Sequence, residues 1–189
     1  MTTLTKAEML LQEAYDILDK TDLLGLMGRY GRAELVGSVA LELVVKPDID
    51  VHVLLSPSTD LRQAVSNISF ALLDVGGINE VRLTDYRSMH AIKVGVDRYQ
   101  GNSTNWTFDV WVTTDPSTTA FEVTEDLRSR LTTTDRTNIL AIKTHYYGLG
   151  ELRHGLSARI YQSVLEGGVS TVDEFKTYLV QDEHRSAYD

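Results

Sequence analysis

GSVALELVVKPDIDVHVLL, residues 37–55, is the stretch on which the reading of this chain turns. A Gly-Ser pair is followed ten residues on by Asp48-Ile49-Asp50, two acids one residue apart at the entry to an apolar, β-branched run. Alternate residues of a strand point to the same face, so a strand beginning at Asp48 sets two carboxylates side by side, about 6 to 7 Å apart at the backbone. Like charges at that spacing repel unless something positive lies between them. At Gly37 the missing Cβ lets backbone N–H groups approach an anion closely, and the Ser38 hydroxyl adds a donor. Asp48 and Asp50 are hard oxygen ligands of the kind Mg²⁺ uses when water and substrate phosphates fill its other positions.

Working outward, residues 6–20 carry helical spacing, which continues over 22–30 until the glycines at 25, 28 and 31 end it. Residues 33–36 read as a short strand, 39–45 as a brief turn or helix, 48–55 as a strand and 61–75 as a helix closed by Gly76-Gly77. Three further strands are expected over 78–86, 89–98 and 106–113. In the last, WTFDVWV, Phe108 and Val110 face one side while Thr107, Asp109 and Trp111 face the other. An acid in so apolar a strand is costly unless it is ion-paired, metal-bound or near an open edge.

After Asp115-Pro116 the pattern becomes helical, with helices expected over 119–131, 135–149, 157–166 and 171–181, and Asp135 and Thr171 as caps. The reading is therefore a mixed α/β (α+β) fold, with a mixed sheet flanked by helices over residues 1–116 and a C-terminal helical bundle over 117–189.

The chain has 189 residues, 42% of them hydrophobic, enough for a sizeable core. It has no cysteine, so disulfides, thiolate metal sites and cysteine nucleophiles are excluded. Neither a basic-then-apolar leader nor a run of 18 apolar residues is present, from which a cytoplasmic protein without a membrane partner is expected. Eighteen basic against 27 acidic residues give a formal charge of -9, the wrong sign for gripping a long nucleic acid but compatible with a small nucleotide carried with its own metal ions.

Gly-Ser, then Asp-x-Asp, then a single Asp on a later strand resembles the nucleotidyltransferase superfamily, which includes DNA polymerase β and the kanamycin and lincosamide nucleotidyltransferases. The closer wording, EL-VGS followed by KPDIDVHV, is similar to the GrpB-like branch. The resemblance implies that Gly37 and Ser38 hold a triphosphate. It implies that Asp48 and Asp50 bind two Mg²⁺ ions, with Mn²⁺ as a substitute, and that Asp109 binds the catalytic metal and helps deprotonate an acceptor hydroxyl. The expected activity is transfer of a nucleoside monophosphate from an NTP to a hydroxyl of a small-molecule acceptor, releasing pyrophosphate. Two rivals stand beside it: modification of a protein or of an RNA 3′ end, and a non-catalytic nucleotide-binding or interaction module. Typical transferases follow Gly-Ser with an Arg-Gly element, where this chain has Val39-Ala40-Leu41-Glu42.

Other residues have two readings. Lys46, before a proline, is either a phosphate contact or a solvated charge. His52 shares the strand face of Asp50 and is either at the site or a hydrogen-bonded, partly buried histidine. Lys143 and Tyr147, four apart, suit a cation on phosphates and a ring over a base, as the resemblance implies, or an amphipathic aromatic stripe. Val172, Phe175, Tyr178 and Leu179 have the spacing of a core face or of a homo-oligomer interface.

Overall fold

The computed structural model describes residues 3–153 and 155–186. Helices α1 (Thr3–Thr21) and α2 (Leu23–Gly28) precede strand β1 (Arg32–Val36), a single helical turn α3 (Gly37–Ala40), strand β2 (Asp48–Leu54) and helix α4 (Leu61–Leu73). Strands β3 (Arg82–Tyr86), β4 (Ala91–Gln100) and β5 (Asn105–Thr113) follow, then helices α5 (Phe121–Arg130), α6 (Thr133–Gly148), α7 (Leu156–Leu165) and α8 (Val172–Ser186). The five strands form one mixed sheet in the order β1-β2-β5-β4-β3, in which only β2 and β5 run parallel.

Period-2 alternation orients the sheet. Ile49, Val51 and Val53 of β2 and Phe108, Val110 and Val112 of β5 are fully buried against α1, α2 and α4, so Asp48, Asp50, Thr107 and Asp109 must point to the other face. Two expected boundaries differ. Residues 78–81 are irregular and β3 begins at Arg82. The cap of α6 is Thr132, whose hydroxyl accepts from the Asp135 N–H while the Asp135 carboxylate accepts from the Thr132 N–H; Asp135 is the inner partner of a capping box.

A second core lies among the C-terminal helices, around Ile139, Ile142, Ile160 and the fully buried Phe175. Val172, Tyr178 and Leu179 pack against it, so the apolar stripe of α8 is core. Leu41, Leu43 and Val45 belong to this second core while Val39 and Val44 belong to the first, so the segment joining the Gly-Ser pair to β2 is shared between the two. Among the described residues no helix is long and apolar enough to cross a membrane.

Because Leu43 is fully buried where the cores meet, Leu43→Ala is expected to cost about 2–5 kcal/mol in denaturant unfolding. The buried Trp106 reports the sheet core and far-ultraviolet dichroism reports the helices, and the two should give coincident transitions in the native chain. Separate transitions would show that the shared segment does not couple the halves.

Candidate active site

Strand β2 starts where it does because Pro47 has no N–H to give, while its carbonyl accepts from the Thr107 N–H at 3.1 Å and so begins the parallel pairing with β5. That register sets Asp48 beside Thr107 and Asp50 beside Asp109. One carboxylate oxygen from each of Asp48, Asp50 and Asp109 lies within 4.8 Å of the others, all three side chains half-buried.

Each acid is balanced differently. Lys46 Nζ donates to Asp48 at 2.7 Å, and the Thr107 hydroxyl donates to the other Asp48 oxygen. Burial works against the Lys46 charge, but the hydrogen bond and charge of Asp48, with Asp109 and Asp50 behind it, hold its pKa above the ordinary lysine value. Lys93 Nζ, from β4, donates to Asp109 at 2.9 Å. Burial pushes the Asp50 carboxyl up to about 7, the charges of Asp48 and Asp109 push the same way, and Lys46 and Lys143 oppose them. A donor set of three clustered carboxylates, one of which resists ionising for want of positive charge, fits a divalent cation.

Gly37 packs onto Asp50. Its φ is +66°, in the left-handed region, and a Cβ there would lie 2.7 Å from an Asp50 carboxylate oxygen, so glycine is required on both counts. The turn it opens closes on itself: the Leu43 N–H donates to the Ser38 carbonyl at 2.8 Å and the Glu42 N–H to the Val39 carbonyl at 3.1 Å. This Schellman pattern needs a left-handed residue at Glu42, which has φ +59°. The free carbonyls are taken by cations of the helical half. Arg128 donates to Ala40 at 3.3 Å, Arg136 to Leu41, and Lys143 to Leu43 at 2.7 Å. Glu42, the acid of the Val39-Ala40-Leu41-Glu42 stretch, lies 3.6 Å from Arg136 and serves this clasp.

Between the carboxylates and the helices lies a cavity of about 360 Å³. Gly37, Ser38, Lys46, Asp48 and Asp50 line one side of it and Lys143, Ser157 and Tyr161 the other. Lys143 is almost wholly buried and also donates to the Tyr161 hydroxyl at 2.9 Å. Burial lowers its pKa to about 7, against the pull of Asp50 and Asp48. Tyr147 is elsewhere: it lines a different cavity with Lys6, Leu10, Pro47 and Ser103, so the spacing of four does not bring it to Lys143's pocket. His52 is a structural residue. Its Nδ1 accepts from the Ala120 N–H at 3.0 Å, its ring packs near Trp111 and Phe121, and burial lowers its pKa to about 4.

Lys93, Tyr161, Arg128 and Arg136 escaped the sequence reading. Only Lys93 left a signal there, as a lone cation inside the apolar alternation Ala91-Ile-Lys-Val-Gly-Val96, the counterpart of Asp109 in its own strand.

No protein-family model and no curated protein matches the chain. Among solved structures it is similar to a Cid1 poly(U) polymerase variant bound to MgATP, with a TM-score of 0.60 and 16% identity over 77% of this chain and 44% of that one. It is also similar to Cid1 with MgGTP bound, with a TM-score of 0.55 and 15% identity over 73% and 42% of the two chains. A cytoplasmic RNA terminal U-transferase gives a TM-score of 0.53 at 15% identity over 72% and 40%. This chain therefore spans less than half the length of each. The shared feature is the fold: a mixed sheet flanked by helices, of the nucleotidyltransferase type.

Proposed function

We propose that this chain is a magnesium-dependent nucleotidyltransferase domain, which moves a nucleoside monophosphate from an NTP to an acceptor hydroxyl. The observation that carries this reading is the cluster of Asp48, Asp50 and Asp109 beside the Gly37-Ser38 turn, at the mouth of a cavity of nucleotide size. Structural neighbours solved with MgATP and MgGTP support it. The EL-VGS and KPDIDVHV wording supports a GrpB-like membership within the fold.

The three carboxylates would hold the metal, which when bound neutralises charge on the phosphates and on the attacking and leaving oxygens. Gly37 and Ser38 receive the triphosphate, with Lys46 at the cavity wall to screen it. The acceptor oxygen attacks the α-phosphorus, a new P–O bond forms, and the bond to the β-phosphate oxygen breaks, releasing pyrophosphate. Asp109 takes the hydroxyl proton and passes it to solvent. No nucleophile from the protein is needed, because positioning and charge neutralisation do most of the work in phosphoryl transfer. Lys143, tied to Leu43 and Tyr161, holds the pocket wall and adds positive potential near Asp50.

For the acceptor, the formal charge of -9 favours a small molecule. A second reading, an RNA 3′ end, is favoured by the neighbours, one of which is described as a poly(U) polymerase and another as an RNA terminal U-transferase.

Thermal unfolding with Mg²⁺ and each ribonucleoside triphosphate is expected to show a metal-dependent rise of roughly 2.7 kcal/mol at 100 times the dissociation constant. The rise should vanish in Asp48→Asn/Asp50→Asn. A nucleotide shift without metal, or one that survives in the double variant, would place binding elsewhere. Binding without pyrophosphate release on any acceptor would favour the non-catalytic module.

The raised Asp50 pKa makes a second prediction. A carboxyl that keeps its proton in the folded state stabilises fully below its ordinary value of 3.8, and loses that contribution as pH rises to about 7. In metal-free buffer the native chain should therefore lose stability relative to Asp50→Asn across this window, whereas the opposite slope contributed by His52 is common to both. Parallel stability curves for the two proteins would show that Asp50 ionises normally.

A further inference from the structure

Building on the transferase reading, we propose that Trp111, Tyr86 and Lys93 form the acceptor subsite, and that it takes a nucleotide-like acceptor with a planar base and a phosphate flanking the reactive hydroxyl.

The sheet register puts these residues next to the carboxylates. Lys93 pairs with Trp111, Gly95 with Asp109, Thr84 with Lys93 and Tyr86 with Ala91, so Tyr86, Lys93, Asp109 and Trp111 share one face. It is the face opposite Val94, Val110 and Val112, which are buried in the first core. Gly95, opposite Asp109, puts no side chain over the acid. Trp111 stands two residues beyond Asp109, about 6 to 7 Å along the strand. Its ring centroid is 4.7 Å from that of Tyr86, and Lys93 Nζ lies 5.8 Å from the Trp111 ring and 2.9 Å from Asp109.

The location suits an acceptor. The NTP cavity is lined by Asp48 and Asp50 but by neither Asp109 nor Trp111, so the acids lie between the cavity and the aromatic face. In-line displacement requires the attacking oxygen to approach opposite the leaving pyrophosphate, and hence from the Asp109 side. The chemistry is equally selective. Buried Trp106 and Phe108 show that this sheet encloses its large rings where it needs core, yet Trp111 and Tyr86 remain half-exposed beside a lysine. Rings next to a cation suit a stacked base with an anion alongside. Asp109 takes one of the three N–H donors of Lys93, so the same ammonium can also receive a phosphate. The same charge rejects cationic acceptors such as amino sugars.

The reporter is intrinsic, because of the two tryptophans Trp106 is fully buried and Trp111 is half-exposed. With Mg²⁺ present and the cavity saturated by a non-hydrolysable NTP analogue, the chain is titrated with a nucleoside monophosphate, the corresponding nucleoside, ribose 5-phosphate and a short single-stranded oligoribonucleotide. The monophosphate is expected to quench tryptophan fluorescence and to bind at least about fivefold tighter than ribose 5-phosphate, from the low end of base stacking strength, and tighter than the nucleoside, which lacks the phosphate that Lys93 would meet. Lys93→Met should erase the advantage of the monophosphate over the nucleoside, and Lys93→Arg should restore it. By calorimetry, Trp111→Ala should weaken the monophosphate while keeping the Mg²⁺-dependent NTP thermal shift. Equal affinity for monophosphate and oligonucleotide identifies a free nucleotide as the source of the acceptor chemistry, and a tighter oligonucleotide identifies a chain end. An NTP shift in the native chain with no quenching, or with quenching indifferent to Lys93→Met, overturns the subsite alone. Loss of the NTP shift in the native chain overturns the transferase reading beneath it.

Discussion

Three carboxylates with oxygens within 4.8 Å of one another are an electrostatic strain that everything around them works to contain. Isolated in a half-buried setting, they would resist ionising together. Asp48 is relieved by Lys46 and Thr107 and Asp109 by Lys93, whereas among the described residues Asp50 has no direct cation partner, and burial, then the charges of Asp48 and Asp109, raise its pKa. The same crowding dictates Gly37, since the Asp50 carboxylate occupies the space a Cβ would need. A divalent cation would complete the arrangement by supplying the positive charge that Asp50 lacks.

The acids stay in place because each is backed by a residue that cannot move. Ile49 and Val51 flank Asp50, and Phe108 and Val110 flank Asp109, all fully buried, so turning an acid away would expose core. The Gly-Ser turn is held by a different means. Its outward carbonyls are satisfied by Arg128, Arg136 and Lys143 from α5 and α6, and Leu41 and Leu43 are buried in the helical core. The Gly-Ser turn is thus fastened to both halves of the molecule, and a shift of the helices would be felt at Gly37. Glu42 belongs to this fastening through Arg136, which gives the acid a structural role beside the turn.

Much of the fold was legible because period-2 and period-3.6 patterns report burial directly. Alternation around Asp48, Asp50 and Asp109 marked these acids as exceptions on otherwise apolar strands, and exceptions of that kind are where sites are found. Lys143 had two readings, a cation on phosphates or a member of an aromatic stripe, and its bonds to Leu43 and Tyr161 were part of neither, since they depend on how α6 lies against α7 and the Gly-Ser turn. Tyr147 shows the limit of helical spacing: four residues from Lys143 on one helix, it turns toward α1 and Pro47 while Lys143 turns toward Asp50.

By itself the sequence determined which side of each strand is polar, that Gly37 stands at a turn, and that no thiol chemistry operates. These are local consequences of backbone geometry and side-chain type. Only the tertiary structure decided that Asp109 lies beside Asp50, that Lys93 answers Asp109, and that the cations of α5 and α6 close the Gly-Ser turn. Strand register and helix docking are set by how the two cores fill, a sum over residues far apart in the chain. No local pattern carries that information.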